Sequence, residues 1–188
     1  MEIQQAIEIR RSIRAYGDRP VEREKLEAVL RAGNQAPIFG RLHMSVFAGP
    51  EQLQAVDAAA VAGMARSGVP FLENLAAQEG YHPLYGAAAL VVLSAPGGLD
   101  EKGFNMANVS CAAENMLLAA AGLGLGSCFL MGPMAAFSDP ALRARLELPG
   151  GYEPLVGVAL GYADLERPAA PERPAAPERT DAGITWCR

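Results

Sequence analysis

Cysteine, histidine and tryptophan are scarce, with three, two and one among 188 residues. Cys111, Cys128 and Cys187 are odd in number and widely spaced, with no CxxC and no Cys/His ligand spacing. Neither a disulfide framework nor a zinc site is therefore indicated, and reduced, mostly buried thiols are expected. No GxxxxGK[ST], GxSxG or HExxH occurs, which removes local support for nucleotide hydrolysis, a serine hydrolase or a zincin. Positive charge is also short: the net charge is −5 and the pI about 5.1, which argues against nucleic acid as a main partner. Met1 to Gln5 offers neither a basic nor an apolar leader, so a cytoplasmic protein is expected. Residues 115–138 lack any charge, long enough to span a bilayer, but they hold Gly122, Gly124, Gly126, Gly132 and Pro133 without flanking Lys/Arg anchors. A buried helix followed by a buried strand fits them better than a membrane span.

What is present is a core. Half the residues are apolar and a fifth charged, enough for one folded domain with an appendage. Helices are expected over 2–16 (with Ile3, Ala6, Ile7, Ile9 and Ile13 as a buried stripe), 21–32, about 51–66, 104–121 and 140–146. Strands are expected over 44–48, 88–95, 127–131 and 154–162, and 67–86 reads as irregular. The 104–121 helix lacks a polar face, which places it centrally. The Gly122, Gly124, Gly126 run follows a helix and precedes a strand, the reverse of a dinucleotide-binding turn, so it reads as a helix C-cap. The domain is expected to cover 1–165. Residues 166–188 form an arm in which ERPAAP occurs twice from Glu166 to Pro177. Prolines at this density favour polyproline II, and 14 such residues reach on the order of 40 Å. Ile184 to Cys187 returns to strand-forming residues with the sole Trp, and is expected to dock on its own domain or on a second subunit.

Arg10, Arg11, Ser12 and Arg14 concentrate three guanidinium groups and a hydroxyl at the end of the expected first helix. Guanidinium forks match phosphate oxygens, so the cluster is a candidate anion site; a solvated helix end with cations favouring the dipole is the other reading. His43 is either a substrate donor or a backbone-bonded loop residue, and His82 is equally open. Glu114 reads as an interface or end-of-bundle partner.

In order along the chain, Arg-Arg-Ser-x-Arg-x-Tyr at 10–16, Ala-Pro-x-x-Gly at 36–40, Tyr-Gly-Ala and an apolar strand at 85–93, the segment Asn115–Cys128, and Val158–Tyr162 together resemble the nitroreductase family of FMN-dependent oxidoreductases. That resemblance implies an α+β fold with a mixed, mostly antiparallel sheet flanked by helices. It also implies an obligate homodimer with FMN at the subunit interface and a C-terminal extension docking on the partner. It carries Arg10, Arg11, Ser12 and Arg14 onto the FMN phosphate, ribityl chain and pyrimidine edge. It makes Pro37, Ile38, Phe39 and Arg41 the loop covering the flavin from the partner, and assigns Leu130, Met131 and Gly132 to the turn facing flavin N5 and O4. Arg179 would bind the phosphate, with Arg173 as competitor in the doubled repeat. Phe39, Gly40 and His43 would meet substrate.

The activity implied is hydride transfer from NADH or NADPH to FMN, then to a nitroaromatic, quinone or activated alkene by a ping-pong mechanism. Chemistry borne by the flavin needs no catalytic acid, base or nucleophile from the protein. The covering loop, Ile38 to Ser45, is more apolar than the family's usual Ser-Ser-x-Asn-x-Gln-Pro-Trp and lacks its Trp. That motivates a second reading, a flavin-binding, storage or sensing protein without turnover. Tyr81 and Leu84 stand where some members place an Asn and a Lys on FMN.

Overall fold

A computed structural model describes residues 1–97, 103–164, 166 and 183–186. Four strands, β1 (His43–Phe47), β2 (Ala89–Pro96), β3 (Gly126–Leu130) and β4 (Tyr152–Gly161), form one sheet in the order β1-β2-β4-β3. All three pairings are antiparallel. The only parallel element among the described residues is a single bridge from Ser12 to Ser127 along the free edge of β3. β1 and β3 are thus opposite edges of the sheet.

The two central strands are buried on both faces, and their period of two divides the interior into two cores. Leu90, Val92 and Ala159 face one side, where α3 (Pro50–Met64), a 3-10 helix (Gly132–Ser138), Tyr16 and residues 81–87 pack. Ala89, Val91, Leu93, Val156, Val158 and Leu160 face the other, against α2 (Arg23–Asn34) and α5 (Phe104–Gly122). Two short helices, α4 (Pro70–Ala76) and α6 (Pro140–Ala144), complete the shell. Each begins on a proline, whose missing N–H costs nothing in a first turn. α4 lies within the stretch expected to be irregular.

The glycine run behaves as its context implies. Leu125 N donates to Ala120 O and Gly124 N to Ala121 O, with Gly124 at φ +72, a Schellman closure of α5. It delivers Gly126 into β3 at a point where a Cβ would sit 3.0 Å from Ile13.

Three expectations are corrected. α1 covers only Ile3–Ile9, so the arginine cluster is not helical. From Arg10 onward the chain is taken up by neighbouring strands: Ile13 N donates to Ser127 O (2.9 Å), Gly17 N to Tyr162 O (2.9 Å) and Asp164 N to Ala15 O (3.0 Å). Tertiary pairing overrides helix propensity there. With so short a helix only Ala6 is buried; Ile3, Ile7 and Ile9 are 63%, 52% and 47% exposed. Cys128 is buried but Cys111 is exposed, on the outer side of α5. Finally, residues 183–186 form no strand, and Ile184 and Trp186 are exposed, so docking across the chain's own domain is not observed. No helix among the described residues is long and apolar enough to cross a membrane.

Candidate functional site

The four residues of the arginine cluster part company once the chain leaves α1. Arg10 Nε lies 3.4 Å from Glu114 Oε1 on α5, an ion pair within the chain. Arg11 folds back to donate to the carbonyls of Glu8 and Arg10. Ser12 bridges Ser127. Arg14 differs from all of these: it is half-buried, yet no carboxylate among the described residues lies within ion-pair distance.

The Arg14 side chain lines a cavity of about 720 Å³, within the ~300–1,000 Å³ span of small-molecule sites. The walls come from four places: the 14–20 segment with Asp18, the start of α3 with Leu53, Gln54 and Asp57, the β1–α3 corner, and the turn 82–88. That turn is tightly made. Tyr85 N donates to His82 O (2.9 Å) and Ala87 N to Leu84 O (3.0 Å). Between them Tyr85 adopts φ +56, a left-handed conformation that a bulky residue rarely holds. Asp57 anchors the turn to α3 through both oxygens, Oδ1 accepting from Leu84 N (2.8 Å) and Oδ2 lying 2.7 Å from His82 Nδ1. Tyr16, close beneath, is fully buried; burial, with the Cys128 thiol nearby, raises its pKa far above the ordinary tyrosine value, so it stays neutral.

Asp57 and Tyr85 were not singled out from sequence. Asp57 and His82 stand 25 residues apart, and nothing in either local pattern pairs them. The one available signal was a lone His beside Pro83 just ahead of a buried strand.

At the opposite edge of the sheet, the loop before β1 is held by α5. Asn108, buried, receives Phe39 N on Oδ1 (3.0 Å) and donates through Nδ2 to Phe39 O. This two-point clamp presents the Phe39 ring outward, 83% exposed and 6.3 Å from the Phe104 ring. Gly40, at φ +103, makes the turn beyond it. Ile38 packs against the second core, whereas Pro37 and Arg41 are exposed. His43 Nε2 lies 3.2 Å from Leu146 O, which also accepts from Ser45 Oγ at 2.7 Å. The backbone-bonded reading of His43 is therefore the one realised.

At the far end of β3, Leu130 is buried, so only its backbone can serve a ligand; Met131 is 57% exposed and Gly132 rests near Met64. The 10–14 segment and the Met131–Gly132 turn thus share the β3 edge, while the Pro37–Arg41 loop belongs to the β1 edge. Arg173 and Arg179 lie outside the described residues.

The nitroreductase family model matches residues 7–162, from α1 to the end of β4. The chain belongs to the nitroreductase family. A protein of Archaeoglobus fulgidus, provisionally named NADH dehydrogenase/NAD(P)H nitroreductase, is 32% identical over 163 residues, covering 84% of this chain and 83% of that one. Among solved structures, a Bacteroides fragilis nitroreductase with bound FMN superposes with TM-score 0.77 at 28% identity, over 97% of this chain and all of that one. A Desulfitobacterium hafniense nitroreductase with bound FMN matches the fold equally well, at TM-score 0.77 over 97% of this chain and all of that one, at 24% identity. The nitroreductase match covers both sheet edges and the cavity between α3 and the 82–88 turn.

Proposed function

We propose that this protein is an FMN-dependent oxidoreductase that works as a homodimer. The observation carrying this reading is Arg14: a half-buried guanidinium without a carboxylate partner among the described residues, on the wall of a cavity of ligand size. Such a charge is matched by a ligand offering electron-rich oxygens or nitrogens. A flavin pyrimidine edge has that chemistry, and the Bacteroides fragilis relative binds FMN. The residues present fit the cofactor.

Arg10 Nη atoms, Arg11 Nη2 and the Ser12 hydroxyl would hold the phosphate and ribityl chain. Arg14 would meet the pyrimidine edge, where a cation would favour the charge of the reduced ring. The backbone N–H groups of Met131 and Gly132 would serve the central ring. Bound FMN supplies two-electron hydride chemistry, from NADH or NADPH to a small acceptor such as a nitroaromatic, quinone or activated alkene, in alternating half-reactions. Leu53, Leu84 and Tyr85 exclude water from one side.

A second subunit is part of this reading. The Phe39 loop precedes the start of β1, whereas the cavity of Arg14 abuts Ala48 and Pro50 beyond the end of that strand, so the loop would reach the same flavin from another copy. Ile3, Ile7, Phe39 and Phe104 are the exposed apolar residues such an interface would cover. The test is direct: purified protein dialysed against FMN is expected to retain about one flavin per chain and to sediment at twice the chain mass of 19.8 kDa. A monomer that binds no FMN would contradict it.

A further inference from the structure

The turn at 82–88 contains more chemistry than folding needs. Asp57 fixes this turn to α3 with one oxygen, through Leu84 N; its second oxygen is spent on His82 Nδ1 at 2.7 Å. The carboxylate is only 15% exposed and the imidazole 68% exposed. An ion pair with one partner in solvent contributes little to stability. What it does fix is orientation. A carboxylate on Nδ1 makes that nitrogen the proton-bearing one in the neutral ring, so exchangeable proton chemistry is confined to Nε2. His82 lines the same cavity as Arg14, and next to it Tyr85 is held in a left-handed conformation, the kind of local strain that collects at working sites.

We propose that His82 is the proton donor to the electron acceptor, and that Asp57 is its positioning residue. This rests on the flavin reading above. Two-electron reduction of a quinone, nitro group or activated alkene consumes one hydride and one proton. The reduced cofactor supplies the hydride. The imidazolium supplies the proton: its Nε2–H bond breaks, an O–H bond forms on a quinone or nitro oxygen (a C–H bond on an alkene), and the ring is left as the neutral Nδ1–H form that Asp57 already favours. The exposed ring then takes a proton back from water. Besides Asp57 on α3, the titratable groups facing this cavity are Arg14 and Asp18 from the opening segment and Tyr85 from the turn itself.

The experiment separates the two half-reactions. Protein loaded with FMN is reduced anaerobically with NADH or NADPH, then mixed with menadione, across a pH series, for wild type, His82→Gln and Asp57→Asn. Flavin affinity is measured by fluorescence titration, and the His82 tautomer by nitrogen NMR on the flavin-free protein. His82→Gln is expected to bind FMN and accept hydride as wild type does. Its reoxidation should slow about a hundredfold or more, the lower range for general acid catalysis, and lose the wild-type dependence on pH. Asp57→Asn should shift the neutral tautomer away from Nδ1–H. Unchanged reoxidation in His82→Gln overturns the proposal, as does an equal loss in both half-reactions or in flavin affinity, which would mean a structural turn only. Failure of wild type to bind FMN contradicts the flavin reading itself and is seen before any variant is made.

Discussion

A half-buried guanidinium with no carboxylate within ion-pair distance among the described residues is partly desolvated, and a bound ligand restores its partners. For Arg14 this separates cofactor binding from stability. Arg14→Ala is expected to weaken FMN binding by roughly tenfold to a hundredfold, the loss of about 1.5–3 kcal/mol for a hydrogen bond to a charged group. The melting temperature of the flavin-free protein should fall little or even rise, since no ion pair is lost. Fluorescence titration and a thermal melt check the two halves; a large fall in stability with unchanged affinity would make Arg14 structural. The residue types of this cluster were legible because Arg-Arg-Ser-x-Arg is itself a chemical pattern. The division among them was not, because it depends on Glu114 and Ser127 arriving from elsewhere. The Asp57–His82 pair was illegible for the same reason.

Elements buried on both sides are legible in sequence, and those at the margin are not. The expected and observed bounds of β2 differ by one residue because seven consecutive buried positions leave no alternative to a central strand. The isoleucines of α1 keep helical spacing past its end, yet the hydrogen-bonding edge of β3 captures the chain from Ile13. α2 begins at a polar network that makes its own prediction. Glu22 stands at the N-cap position, and its carboxylate accepts not from the helix but from Tyr162 Oη (2.6 Å) and Arg19 Nη2 (2.6 Å), while Lys25 Nζ donates to Tyr162 Oη and Leu123 O and the Arg19 guanidinium covers the Tyr162 ring at 4.0 Å. The hydrogen bond from Tyr162, ahead of Glu22's own backbone N–H and Arg19, holds the carboxyl down to about 2 from an ordinary 4.5. A lowered acid stabilises the fold fully above its unfolded value and loses that contribution as pH falls toward the folded one. Denaturant titrations should therefore show wild type more stable than Glu22→Gln above pH 4.5, with the gap narrowing from there toward pH 2. A gap independent of pH would assign the effect to packing.

For the molecule as a whole, the two cores on either side of one sheet explain how 188 residues leave so much apolar surface uncovered at both edges. The fold class was legible from the ordered motifs, since each marks a different layer of this architecture. The sheet's strand order was not, because β4 inserts between β2 and β3 through contacts far apart in sequence. That order puts the 10–14 segment along β3 and the Phe39 loop ahead of β1, the arrangement in which the proposed reading brings the loop from a second copy. Binding alone would leave open a protein that stores or senses flavin, so the decisive measurement is anaerobic. FMN-loaded protein is mixed with NADH and, separately, with NADPH while its visible absorbance is followed. Bleaching by at least one nicotinamide, with colour returning on addition of a quinone, is the predicted result; flavin that stays oxidised with both would contradict an oxidoreductase.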